Sequence, residues 1–365
     1  MIAMDTETRF ELIRSVGEEI ITEKELREMV ETRQHPVAYD GFEPSCLAHL
    51  PFGVFRPLLL KDLLKAGVHF KLWLADWFAW INNKMGGDLD RIKKVGEYFV
   101  EVWKAAGVDQ DKVEFIFASD AVKDPEYWKR TVMIAKNTTV ARATRALNIM
   151  GRKEGEMKEL AQYFYPVMQA NDIFHLKVDI AQLGLDQRRA CMLAREVAPK
   201  LGLPKPVAVS HHMLMGLQGI KQPDGLEDDK RMDVAISSKM SKSRPESSIF
   251  VHDSAGDIRR KINAAYCAPK DIENNPMLDY AKHLVFRACG GMTIERPAKF
   301  GGPVTFASYG ELEKAFAEGK IHPMDLKGGV ASSIDSMVEP IRDHFDKNAR
   351  ARKLYEFVKS QDITR

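Results

Sequence analysis

Within five residues, Lys239-Met240-Ser241-Lys242-Ser243, the chain places two ammonium groups and two hydroxyls. Point cations and small donors of this kind can follow a triphosphate through a displacement, so the segment reads as a mobile loop for gripping polyphosphate. By itself, a solvated basic loop is the plainer reading. Three other groups of residues change that balance.

The first surrounds Tyr39-Asp40-Gly41-Phe42-Glu43-Pro44-Ser45, where a strand pattern ends and Cys46 to Gly53 opens a helix. Gly41 lets a ligand approach the backbone, and His49, near the helix N-terminus, can donate to phosphate oxygens. The second is Gln182-Leu183-Gly184-Leu185-Asp186-Gln187-Arg188, at the end of another strand pattern. Asp186 can accept both hydroxyls of a ribose there, or it can be the N-cap of the helix that follows. The third is Tyr165, Gln169 and Asp172, at i, i+4 and i+7 of a helix begun by Pro166. That stripe is polar where a core helix is apolar. It either faces solvent or lines a polar pocket; in a pocket, its phenol, amide and carboxylate converging with Gln187 would make a small zwitterion site, with donors and acceptors for an α-ammonium at one end and Tyr39 and Asp172 for a hydroxyl at the other.

Such residues need a scaffold that brings distant segments together. Short apolar runs alternate with helical patterns, which is the signature of a parallel α/β sheet. Five strands are predicted: His35 to Gly41, Val68 to Ala75, Val113 to Ala118, Leu176 to Gln182 and Pro206 to Ser210. Helices fall near Leu50 to Ala66, Asp90 to Ala106 and Gln187 to Leu201. Right-handed crossovers favour the Rossmann-like, doubly wound order 3-2-1-4-5, with a crevice at the carboxyl ends of the first and fourth strands. An Arg- and Met-rich helical insertion occupies about 119–165. Residues 1–34 read as an amphipathic helical appendage, with Thr22 and Glu25 spaced as a capping box. Residues 35–250 then form the α/β domain, carrying the lysine loop at 237–245 behind a flexible lead-in from Lys221 to Ser238. Residues 251–365 read as a second, mainly helical domain, with helices at Ile258 to Tyr266, Met277 to Arg287, Tyr309 to Ala317 and Val330 to Phe345.

Bulk properties narrow the function. A chain of 365 residues has the length for two domains, and 54 basic against 52 acidic side chains exclude a protein that coats nucleic acid by overall charge. Any RNA contact must be local. Cys46, Cys191, Cys267 and Cys289 form no close pair, which argues against a zinc knuckle or a disulfide framework and for a reducing compartment. The acidic N-terminus does not suit a leader, and no apolar run is long enough to span a bilayer, so a soluble protein is expected. There is no Ser-His-Asp or Cys-His arrangement to supply a nucleophile.

Taken together, the Gly41-to-Ser45 segment with His49, the Tyr165/Gln169/Asp172 stripe, Gly184 to Gln187 and the lysine loop resemble class I tyrosyl-tRNA synthetases, of the archaeal and eukaryotic cytosolic type. The resemblance runs from about Tyr39 to the C-terminus, through Ala75 to Trp77, Asn82 to Leu89, His211 to Leu214 and His322 to Lys327. It implies a Rossmann catalytic domain, an insertion that helps form a homodimer and a C-terminal domain that reads the tRNA anticodon. Tyr39 and Asp172 would bind the phenolic hydroxyl of tyrosine, with Tyr165, Gln169 and Gln187 around its ammonium group and Glu43 as a further member of the pocket. Gly41, Gly184 and Asp186 would meet the ATP nucleoside, and His49 its phosphates. Lys239, Met240, Ser241 and Lys242 would close over the pyrophosphate, and His322 and Asp325 are candidates for the anticodon, or else a solvent-facing helix cap. The resemblance further implies ATP as substrate, with Mg2+ carried on it and no tightly bound protein metal, and a cytoplasmic location. One departure stands out: the first ATP motif reads His49-Leu50-Pro51-Phe52, and Phe52 cannot donate to phosphate.

Overall fold

The computed structural model describes residues 4–151, 159–222, 225, 229–242 and 245–361. Ser243 and Arg244, residues 152–158 of the insertion and residues 223–224 and 226–228 of the lead-in lie outside them.

Among the described residues one sheet has six strands, β1 (Glu19–Ile21), β2 (Val37–Phe42), β3 (His69–Leu74), β4 (Val113–Phe117), β5 (Ile180–Ala181) and β6 (Val207–Ser210), in the order β1-β6-β5-β2-β3-β4. The five expected strands are parallel and follow the expected order. The sixth was not expected. Glu19–Ile21 pairs antiparallel with β6, Ile20 opposite Val209, so residues 1–34 contribute an edge strand between the helices Thr6–Arg14 and Glu23–Thr32. A run of three strand residues is too short to stand out against the surrounding helical period. The capping box is present: Thr22 Oγ1 accepts from Glu25 N and Glu25 Oε2 accepts from Thr22 N, both at 3.2 Å.

Alternation along the strands gives the sheet two buried faces. Ala38, Phe70, Leu72, Ile180 and Val209 join one core, which continues through Phe10, Leu26, Phe52 and Trp103 to Met277, Val330 and Phe345 of the C-terminal helices. Tyr39, Trp73, Ala181 and Ala208 join the other, under Tyr127, Met168 and Cys191. The insertion forms the helices Pro125–Lys136 and Val140–Ala146, and the helix Phe164–His175 follows it.

In the lead-in, Lys230–Ser238 is a helix rather than a flexible stretch, because Asp229 caps it by accepting from Arg231 N and Met232 N and Ile236 is buried. The C-terminal region holds the helices Ala255–Ala264, Pro276–Tyr280, Tyr309–Ala317, Pro323–Lys347 and Ala349–Lys359, with a hairpin of β7 (Met292–Ile294) and β8 (Val304–Phe306). No helix among the described residues is long and apolar enough to cross a membrane.

Candidate active site

The chain turns from one side of the sheet to the other between β2 and β5, which are neighbours, so their carboxyl ends flank a crevice. Tyr39 reaches it from β2, and Tyr165, Gln169 and Asp172 from the Phe164–His175 helix. All four are buried. The polar stripe therefore lines a pocket and does not face solvent.

Asp172 is 1% exposed, and its Oδ1 accepts a 2.7 Å hydrogen bond from Tyr127 Oη. Burial pushes its carboxyl well above the ordinary range, against the opposing effect of that bond. Tyr39 and Tyr127 are likewise pushed up by burial and by the nearby Asp172. The Tyr39 hydroxyl is buried without a partner, as is Gln169 Oε1. Unpaired polar atoms in a buried site are costly, and a ligand carrying a hydroxyl and an ammonium would satisfy them.

At the other end of the pocket Gln169 Nε2 donates to Gln187 Oε1 at 3.0 Å, and Gln187 Nε2 donates to Ile149 O at 3.2 Å. Tyr165 Oη donates to Glu43 Oε1 at 2.8 Å, and Asn82 Nδ2 bonds both Glu43 oxygens. Behind this wall the buried Arg56 pairs with Asp40 through Nε and Oδ2, 2.7 Å apart, and reaches Gln182 with Nη2. That pair ties the ends of β2 and β5 together. Gly41 sits directly against Trp73: a Cβ there would lie 3.3 Å from the indole Cδ1. A Cβ on Gly184 would lie 2.5 Å from Asp186 Oδ1, so a side chain at that position would displace the carboxylate.

Asp186 caps no helix, since Gln187 is the residue at that position and makes no capping bond. Its carboxylate instead meets Lys239 Nζ at 2.5 Å. Burial raises its pKa, but the Lys239 charge and hydrogen bond outweigh that and hold it below the ordinary carboxylate range. The first part of the lysine loop is anchored rather than loose: Met240 N donates to Leu214 O at 2.7 Å, and Ser248 Oγ donates to Ser241 O at 2.7 Å. Lys242 Nζ lies 4.8 Å from the Phe99 ring centroid, and burial lowers its pKa. His49 precedes the turn Pro51–Phe55 and the helix Arg56–Lys65. Its Nδ1 is buried without a partner, and burial together with Lys242 and Lys239 holds it well below the usual histidine pKa. A neutral His49 beside two lysines marks a spot prepared for negative charge.

Phe52 does not face the crevice. It is fully buried against Phe42, Phe99 and Trp103, with centroids 4.9, 4.2 and 5.7 Å away. His322 and Asp325 are not brought to the crevice either. His322 Nδ1 caps the Pro323–Lys347 helix by accepting from Met324 N at 3.1 Å, and Asp325 lies in its first turn.

Sequence reasoning missed Tyr127, Trp73, Asn82 and Arg56. Trp73 was within reach, because parallel register sets it opposite Gly41, two residues beyond Tyr39 on the same face. Tyr127 gave no signal, since nothing local ties the insertion to Asp172.

The fold is that of a doubly wound α/β protein with a crevice at its topological switch point. Residues 31–339 match the family model of class I tRNA synthetases (W and Y), and the chain belongs to that family. It is 42% identical over 364 residues to cytoplasmic tyrosine-tRNA ligase 1 of Arabidopsis thaliana, covering 99% of this chain and 90% of that one. With a tyrosine-tRNA ligase of Saccharolobus islandicus it shares 44% identity over 366 residues, covering 99% and 100%. Among solved structures, the tyrosyl-tRNA synthetase of Pyrococcus horikoshii complexed with L-tyrosine superposes with a TM-score of 0.88 at 39% identity, over 97% of this chain and 100% of that one. The Leishmania major enzyme in complex with tyrosinol gives 0.88 at 40% identity, and this chain spans 61% of it. A tryptophanyl-tRNA synthetase from Aeropyrum pernix, at 18% identity and a TM-score of 0.65, shares the fold.

Proposed function

We infer that the chain is a tyrosine-tRNA ligase: it activates L-tyrosine with ATP to tyrosyl-adenylate and pyrophosphate, then transfers tyrosine to the 3′ end of its tRNA. The observation that carries this reading is the buried Asp172 beside the unpaired Tyr39 hydroxyl, with Gln169 and Gln187 across the pocket. That arrangement suits a molecule with a phenol at one end and an ammonium at the other.

In the first step the tyrosine carboxylate attacks the α-phosphorus of ATP, in line with departing pyrophosphate. No protein nucleophile is required, because positioning and charge stabilisation carry the reaction. Tyr39 and Asp172 bond the phenol; Tyr165, Gln169 and Gln187 surround the ammonium, and Glu43 orients Tyr165. Asp186 accepts the ribose hydroxyls once Lys239 releases it, and Gly41 and Gly184 leave room for the nucleoside. His49 donates to phosphate, while Lys239 and Lys242 follow the pyrophosphate, carried by the anchored Met240 and Ser241. Because Phe52 is a core residue, the departure in the first ATP motif leaves these contacts in place.

Mg2+ enters on ATP. The crevice carboxylates are already engaged, Asp186 by Lys239 and Glu43 by Tyr165 and Asn82, which does not fit a protein cage for that ion. Carried on the phosphates, it would neutralise charge on the leaving group.

Residues 35–250 act as the catalytic domain and 251–365 as the anticodon-binding domain, with His322 and Asp325 at the exposed start of its longest helix. Val132, Met133 and Val140 on the insertion are exposed, which supports a homodimer formed through that face. The Arabidopsis relative's name supports a cytoplasmic location.

The test is amino-acid-dependent exchange of pyrophosphate into ATP, run with tyrosine and tryptophan in parallel. Exchange with tyrosine alone supports the reading. Exchange with tryptophan, or with neither, overturns it.

A further inference from the structure

Away from the crevice, His212, Asp279 and His283 bring one ligand atom each within 4.8 Å of one another. Asp279 lies in the helical turn Pro276–Tyr280 and His283 four residues on, in the wider π turn Ala281–Val285, so both fall on one side of the same helix. Such π turns recur at functional sites. His212 arrives from the loop after β6. Asp279 Oδ1 lies 2.7 Å from His212 Nε2 and 3.8 Å from His283 Nε2.

The outer atoms of this cluster are already held. Met215 N donates to Asp279 Oδ2 at 2.9 Å, and His212 Nδ1 donates to Glu18 Oε2 at 2.7 Å. A histidine with one ring nitrogen on a carboxylate and the other turned to a shared centre is the arrangement that orients metal ligands. A cavity of about 450 Å³, lined by His212, Asp279, His283, Glu18, Glu273 and Arg287 among others, gives an entry path and room for a water ligand.

We propose that His212, Asp279 and His283 form a binding site for a divalent transition metal of the Zn2+ kind, with Glu18 orienting His212. Two imidazole nitrogens in a three-ligand set select against Mg2+ and Ca2+, which take oxygen donors. Metal–ligand bonds of roughly 2.0–2.1 Å set tetrahedral donors about 3.3 Å apart, between the two separations found. Two adjustments are required, the first being that the 2.7 Å hydrogen bond between His212 Nε2 and Asp279 Oδ1 opens to that separation. The two imidazole rings stack, with centroids 3.9 Å apart and planes 10° from parallel, so His283 must turn about its Cβ–Cγ bond to aim its nitrogen at a shared ion. The adjoining cavity provides the space. Binding displaces the Nε2 proton that His212 donates to Asp279, while the Nδ1 proton stays with Glu18. The ion then ties together the N-terminal segment, the loop leading to the lysine motif and the C-terminal helices. This reading concerns a site the tyrosine reaction does not use, so its test is independent of activity.

The full chain, stripped with a chelator, is titrated with Zn2+ and separately with Co2+. One equivalent per chain is expected, with the visible absorption of tetrahedral Co2+ and a rise in Tm. His283→Phe keeps a ring in the stack and should lose the stoichiometric site, while Glu18→Gln should weaken it about 10- to 100-fold. No stoichiometric binding, or titration of His283→Phe identical to that of the parent chain, overturns the proposal; the latter would assign the metal to the free cysteines.

Discussion

Tyr127 Oη donates to Asp172 Oδ1 at 2.7 Å, so a residue of the insertion fixes the carboxylate at the floor of the crevice. Tyr127→Phe removes the donor and leaves a buried acceptor less satisfied, a loss of about 1–2 kcal/mol. The expected outcome is a fall of roughly 10-fold in kcat/KM for tyrosine in pyrophosphate exchange, with a smaller preference over phenylalanine. Unchanged kinetics would detach Tyr127 from the site.

Asp172 costs the empty protein stability. Its folded pKa stands well above the unfolded value of about 3.9, so the folded state binds more protons than the unfolded state between the two. Stability is therefore lost as pH rises above about 4. Asp172→Asn removes that dependence, and the ligand-free variant should unfold at a higher temperature than the parent at pH 8, with the advantage shrinking toward pH 4. A variant less stable at pH 8 would contradict the burial argument.

The ion pair between Lys239 and Asp186 joins two groups assigned to different parts of one ligand. Asp186→Ala should raise KM for ATP by about 10- to 100-fold, the worth of hydrogen bonds to a charged group, and leave KM for tyrosine within a few-fold. Initial-rate exchange kinetics with each substrate varied separately make the distinction. Equal effects on both would place Asp186 in the tyrosine pocket instead.

Lys242 rests over Phe99, which packs on Phe52. A cation–π contact of about 0.5–2 kcal/mol predicts that Phe99→Leu lowers the exchange rate by roughly 2- to 30-fold without changing KM for tyrosine. An unchanged rate would show that the perch does not guide the loop.

Much of this was legible in the chain. Strand order follows from alternation and crossover handedness, and the i, i+4, i+7 stripe of Tyr165, Gln169 and Asp172 needs only helical geometry. What escaped is long-range or short. The strand Glu19–Ile21 is three residues whose pairing with β6 depends on an edge far along the sequence. Tyr127 finds Asp172 across 45 positions, and Arg56 meets Gln182 across 126, distances that no local pattern encodes. Phe52 misled for a related reason: its place in a motif suggested the crevice, while its contacts with Phe42, Phe99 and Trp103 are set by the core.

The central claim is that the crevice recognises a phenol hydroxyl through Asp172. Sites built to bond a substrate hydroxyl reject the analogue lacking it by roughly 10⁴ to 10⁵, tyrosyl-tRNA synthetases being the standard example. The direct measurement is the ratio of kcat/KM for tyrosine to that for phenylalanine in pyrophosphate exchange, compared between the parent chain and Asp172→Ala. The account predicts that the variant loses this discrimination or all activity; a variant that activates tyrosine with the parent's rate and selectivity would contradict it.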